Sequence, residues 1–166
     1  MNHTKRLAIA GVLVALGVAL SPFSIPVGVA RAFPIQHMIN VIAGVLLGPA
    51  YAVIMAFTTS LIRNILGTGT LLAFPGSMLG ALLAGLAAKY MRRKLLPACV
   101  GELIGTGILG ALAAYPVATL ILGREVALFA FVIPFTVSSF GGAVIAFILL
   151  AALLRTGIFK DYIGGK

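Results

Sequence analysis

Three polar residues, Gln36, His37 and Asn40, are spaced three and four apart in sequence, so a helix brings them onto one face. Two amides and an imidazole clustered at one helix end can hydrogen-bond a small ligand. Few other groups able to do chemistry stand in the apolar stretches: Arg63 and Asn64, Tyr115, the trio Thr136, Ser138 and Ser139, and one acid, Glu102. Catalytic patterns do not appear. There is no HExxH, no pair of carboxylates and no cysteine cluster, and Gly76-Ser77 is not a GxSxG elbow. The run Gly67-Thr68-Gly69-Thr70 lacks the lysine of a phosphate loop and reads as a turn. The single Cys99 excludes an internal disulfide and a cysteine-based metal site. The residue types therefore suit binding, and the chain is read as a non-enzyme with no metal and no bound cofactor.

What must position these residues follows from composition. The chain has 166 residues, 61% hydrophobic and 9% charged, with a mean hydropathy of +1.19. A soluble domain carries about a quarter charged residues, so this chain cannot clothe a water-facing surface. A bilayer is the solvent that fits. The length leaves no room for a nucleotide-binding domain, so any ATP-driven work belongs to a partner chain. The net charge of +9 is read as a signal of membrane orientation rather than of nucleic-acid binding. The opening MNHTKRLAIAGVLVALGVALS has the basic start of a signal peptide but a longer apolar part and no clean cleavage site, and reads as a first span.

Charges divide the chain into uncharged stretches at 7–30, 32–62, 64–88, 103–123 and 126–154. The stretch 32–62 is too long for one ordinary span, and Gly48-Pro49 interrupts it. A tight turn there gives six spans, approximately 5–22, 35–48, 50–66, 75–91, 97–121 and 128–154. It puts Lys5, Arg6, Lys89, Arg92, Arg93, Lys94, Arg155, Lys160 and Lys166 on the cytoplasmic side, against Arg31, Arg63 and Arg124 outside. The fold class expected is an all-α integral membrane protein, a single domain over 1–166 with both termini cytoplasmic. The second span is short, about 20 Å at 1.5 Å per residue, and is expected to pack inside the bundle. The apolar, proline-bearing loop 22–34 is a candidate lid.

Under this topology Gln36, His37, Asn40, Arg63, Asn64, Tyr115, Thr136, Ser138 and Ser139 fall at a similar depth toward the outer side, where they line one cavity. Blander readings stand beside this one. Arg63 can snorkel, His37 can be a satisfied interfacial histidine, Tyr115 can belong to an aromatic belt, and the serines can bond their own helix. Glu102 has an open role: pairing with the basic 89–94 loop, reaching the cavity, or contacting a partner. A proton relay is weakly supported, with no second acid or histidine near it in sequence. Gly11, Ala15 and Ala19 form one stripe of small residues, and Gly76, Gly80, Ala84 and Ala88 form another. Such stripes serve close helix packing or docking of a partner.

The segments FPIQHMINVIAGVLLGP (33–49), TSLIRNILGTGTLLAFPGSMLGALLAGL (59–86) and GELIGTGILGALAAYP (101–116) resemble the ThiW family, in order and spacing through nearly the whole chain. ThiW proteins are S components, the substrate-binding subunits of energy-coupling factor (ECF) transporters. The resemblance implies a six-helix S-component-like bundle in a prokaryotic plasma membrane. It implies as partners one transmembrane coupling protein and two cytoplasmic ATPases that use the ATP. It implies capture of a thiamine precursor, hydroxyethylthiazole, with the pyrimidine precursor or thiamine as alternatives; a stand-alone carrier is the competing class. For such a ligand Phe33, Phe74 and Tyr115 are stacking candidates, and Gln36, His37, Asn40, Arg63, Asn64 and Ser138 are polar ones. The Gly11, Ala15, Ala19 stripe becomes the expected docking face for the coupling protein.

Overall fold

The structure is a computed structural model that describes residues 2–91 and 94–156. Arg92, Arg93, Lys160 and Lys166, which the topology argument counted, lie outside the described residues. Helix α1 spans His3–Ala19, α2 Pro34–Leu46, α3 Pro49–Ile65 and α4 Ala73–Tyr90. A longer helix α5 runs Leu95–Ile121, and α6 runs Val132–Arg155. Each starts or stops where the sequence supplies a breaker. Gly48 adopts φ +91°, a conformation that favours glycine, and Pro49 opens α3 at a position needing no N–H donor. The 32–62 stretch is thus two helices, α2 and α3.

Helix α2 has 13 residues, ten of them buried, and it touches all five other helices. Its sequence suits the position: PIQHMINVIAGVL has no Lys, Arg, Asp or Glu, and its polar groups Gln36, His37 and Asn40 share one face that neighbouring helices satisfy. Helix α1 is the opposite case, with only Ala10 and Gly17 buried. Helix α5 is continuous but not regular. It relaxes into π-helical turns at Gly105–Gly110, where three glycines occur, and at Val117–Ile121, directly after Pro116. Proline within a helix lacks the N–H its own turn requires, which accounts for the second irregularity.

One departure from an all-α fold is present. Ile25–Val27 (β1) and Ala30–Ala32 (β2) pair antiparallel, with Ile25 opposite Ala32, across a turn at Gly28. The expected loop is therefore a short β-hairpin. The Gly28 turn and the β-branched Ile25 and Val27 favour that form over a loop. The hairpin caps one end of the bundle, where α1, α3 and α5 end and α2, α4 and α6 begin.

Among the described residues two helices, α5 with 27 residues and α6 with 24, are long and apolar enough to cross a membrane. The outward faces are greasy as well. Val137, Phe140, Val144, Phe147 and Ile148 are all exposed along α6. In water such a continuous surface would drive association; hydrocarbon tolerates it. The stripe Gly76, Gly80, Ala84, Ala88 is buried within the bundle, so it serves internal packing.

Candidate functional site

Beneath the hairpin lies a cavity of about 460 Å³. Pro26, Gly28, Val29, Ala30 and Arg31 roof it, Gly67–Thr70 and Arg124 form its rim, and Phe33, Gln36, His37, Ala73, Gly76, Ser77, Phe135 and Ser138 form its walls and floor. The walls come from the first turns of α2, α4 and α6. A cavity of this size, apolar with a few convergent polar groups, is what small-ligand sites look like.

Beneath the floor runs a continuous buried network. Arg63, 1% exposed, donates to Gln36 Oε1 and to Thr68 O at 3.2 Å. Gln36 Nε2 donates to Ser60 Oγ at 3.0 Å and to Ser77 Oγ at 2.8 Å. Asn40 Nδ2 reaches Ser77 O and Oγ, both at 3.1 Å, and Glu102 Oε1 at 3.2 Å. Glu102 is fully buried, and its Oε1 lies 2.7 Å from His37 Nδ1 and 2.9 Å from Thr106 Oγ1. Glu102 Oε2 has no partner among the described residues. Buried polar groups in an apolar solvent tend to satisfy one another, and this network joins α2, α3, α4 and α5 while leaving Glu102 Oε2 and Arg63 Nε without a partner among the described residues.

Glu102 finds its partner far away in sequence. Nothing near it in sequence is a histidine, yet the fold sets His37 against it across 65 residues. Helix α4 makes this possible. A Cβ on Gly80 would sit 2.6 Å and 2.7 Å from the two Glu102 oxygens, so only glycine leaves room for that carboxylate and for Thr106. The π-helical turn beginning at Gly105 lies directly beside them, and such turns are frequent at functional sites.

The other sequence candidates divide. Phe33, Gln36, His37 and Ser138 line the cavity. Asn40 and Arg63 stand behind the floor as buried supports, and Arg63 also lies 3.9 Å from the centre of the Phe33 ring. Asn64 braces the rim, donating to Ser60 O at 2.8 Å and Thr70 O at 3.1 Å. Phe74 does not line the cavity. Ala73, Gly76 and Ser77 take the inward positions of α4, and Phe74 turns to pair with Phe57 of α3, ring centres 5.5 Å apart. Tyr115 lies in a separate shallow depression with Thr119 and the 123–127 loop. Ser139 bonds Thr136 O on its own helix.

Sequence reasoning passed over Ser77, Thr106, Phe135, Arg31 and Arg124. Ser77 and Thr106 carried a usable signal, each being a lone hydroxyl beside small residues in an apolar helix. Arg31 and Arg124, outer charges by the topology, both line the cavity, with no acid among the described lining residues.

No curated protein and no solved structure matches this chain. A family model does: the one described as thiamine-precursor transporter protein (ThiW) matches residues 7–156. With the match covering nearly the whole bundle and the cavity inside it, the chain belongs to the ThiW family of thiamine-precursor transporter proteins.

Proposed function

We propose that this chain is the substrate-capture subunit of an ECF-type uptake transporter and that it binds hydroxyethylthiazole in the cavity beneath the hairpin. The observation that carries the reading is that cavity, about 460 Å³, closed over by an apolar hairpin and floored by few polar groups. Hydroxyethylthiazole is small and nearly neutral, with an aromatic ring, one ring nitrogen and one hydroxyl. Phe33 and Phe135 offer it stacking faces, and His37, Gln36, Ser77 and Ser138 offer hydrogen bonds. Asn40, Arg63 and Asn64 act behind that surface.

In this reading all six helices cross a prokaryotic plasma membrane, with the hairpin outside and both termini in the cytoplasm. Charge supports it. Lys5, Arg6, Lys89, Lys94 and Arg155 belong to the end away from the hairpin, and Arg31, Arg63 and Arg124 to the hairpin end. The coupling protein docks on α1 at Gly11, Ala15 and Ala19, which are exposed and unoccupied by any other part of the described chain. Two cytoplasmic ATPases supply the work. A stand-alone carrier is the second reading, and the 2.7 Å contact of Glu102 with His37 inside the bundle favours it.

Titration calorimetry on the purified chain is expected to show saturable binding of hydroxyethylthiazole, with uptake in vesicles only when coupling protein, ATPases and ATP are present. No binding of the thiazole, the pyrimidine precursor or thiamine overturns the capture role. Uptake by the chain alone under a pH gradient replaces it with the carrier.

A further inference from the structure

Two arginines from separate elements line the cavity, and no acid lies among its described lining residues. Arg31 sits in β2 opposite Pro26, within the roof itself. Arg124 follows the end of α5, where Gly123 turns the chain at φ +61° and the Arg124 backbone N–H donates to Ala118 O at 2.9 Å. Both side chains are exposed, and neither forms an ion pair with a described residue. Glu125, next to Arg124 in sequence, lines the separate shallow depression and not the cavity.

The sign of the field follows without assigning any proton. Arginine keeps its charge throughout the physiological pH range. Beneath the floor, Arg63 and Glu102 bear single charges of opposite sign, or Glu102 none, and His37 is neutral or positive. The surroundings of the cavity are therefore net positive under every placement of those protons. The first turns of α2, α4 and α6, which form the walls, add the positive ends of three helix dipoles. A concave site with low-dielectric walls focuses such a field. Lys and Arg are scarce at the hairpin end, where the described chain has Arg31, Arg63 and Arg124. Two of them line this cavity and the third stands behind its floor.

Resting on the proposed capture function, we infer that Arg31 and Arg124 form an anion subsite at the roof and rim of the cavity, and that the site prefers a ligand carrying a phosphate monoester on the arm of its ring. The ring lies at the floor, against Phe33 and Phe135 and beside Gln36, His37 and Ser77. The arm rises toward the roof and ends on the two guanidinium groups, whose planar forks match phosphate oxygens in pairs. In hydroxyethylthiazole the hydroxyl is the atom at which such an ester forms. A cavity of about 460 Å³ lies in the range of sites that enclose drug-sized ligands, so it admits the ester as well as the alcohol.

The test is calorimetry on the intact chain in uncharged detergent, with hydroxyethylthiazole and its phosphate monoester as probes. The ester is expected to bind roughly 10- to 100-fold more tightly than the alcohol, and added salt is expected to narrow the gap. Arg31→Gln and Arg124→Gln are each expected to lower the ester-to-alcohol ratio about 10-fold, whatever the absolute affinities. An ester that binds no tighter than the alcohol overturns this inference and leaves the capture function standing, as does an advantage that survives both substitutions together. Micelles containing phosphatidylglycerol separate ligand phosphate from lipid phosphate. The ester is expected to keep its advantage there; loss of it on adding the lipid assigns the arginines to lipid head groups and overturns the inference. Failure of both alcohol and ester to bind removes the functional reading and this inference with it.

Discussion

Glu102→Ala tests the buried network at its one carboxylate, and the structure gives the size of the effect. Three groups converge on Oε1: His37 Nδ1 at 2.7 Å, Thr106 Oγ1 at 2.9 Å and Asn40 Nδ2 at 3.2 Å. They do not lose equally. Thr106 keeps Gly76 O at 3.1 Å, and Asn40 keeps Ser77 O and Oγ at the same distance. His37 Nδ1 is left only Thr106 Oγ1 at 3.4 Å. One unanswered buried polar group costs about 1–3 kcal/mol, and the emptied side-chain volume adds about 1 kcal/mol for each buried methylene lost. Two terms pull back. Oε2, without a partner, no longer has to be buried, and a membrane-inserted unfolded state finds partners of its own. The net expectation is about 2 kcal/mol of destabilisation for alanine and under about 1 kcal/mol for Glu102→Gln, which keeps an acceptor oxygen and both methylenes. Unfolding in mixed micelles, followed by circular dichroism, measures both variants against wild type. An alanine variant as stable as wild type refutes the partner accounting. A glutamine variant as weak as alanine shows that charge, not the hydrogen bond, holds α2 to α5.

Two other changes probe the packing around this network. Gly80→Ala sets a methyl 2.6 Å and 2.7 Å from the Glu102 oxygens, and is expected to cost about 1–3 kcal/mol as α4 and α5 are forced apart. Gly11→Ala, with nothing within 4 Å, is the control and is expected to melt like wild type; equal melting of both variants contradicts the close approach. Arg63→Lys keeps the charge but loses the planar fork that reaches Gln36 and Thr68 and the stacking on Phe33. It is expected to lower stability by about 1–2 kcal/mol in the same unfolding assay; a lysine variant indistinguishable from wild type shows that only the charge matters there.

Helix positions were readable because each apolar stretch is bounded by charge, glycine or proline, and Gly48-Pro49 marked the one boundary that charge did not. The clustering of Gln36, His37 and Asn40 was readable too, since one helical turn fixes it whatever the tertiary fold. Rotation was not. Helix α4, AFPGSMLGALLAGLAAKY, is apolar or small nearly all round, so its sequence carries no phase to say that Ser77 faces in and Phe74 faces out. On α5 the π-helical turn at Gly105–Gly110 shifts the register before Tyr115, and extrapolating a regular helix from Glu102 aims that side chain wrongly. The contact between His37 and Glu102 spans 65 residues and depends on a missing side chain at Gly80, which no local pattern announces.

Arg63 ties this buried chemistry to the hairpin. It is nearly inaccessible, and none of its hydrogen bonds goes to a carboxylate among the described residues; its partners are Gln36 Oε1, Thr68 O and the face of Phe33. Phe33 is the residue between β2 and α2, and its backbone N–H also donates to Ser138 Oγ at 2.7 Å. The base of the hairpin is thereby clamped from α3 on one side and α6 on the other. Its tip is not: a Cβ on Gly28 would meet nothing within 4 Å, and Val29 is half exposed. A roof held at its base and unpacked at its tip is least restrained at the tip. Arg31, in the middle of β2, and Arg124 also line the cavity, with no acid among the described lining residues.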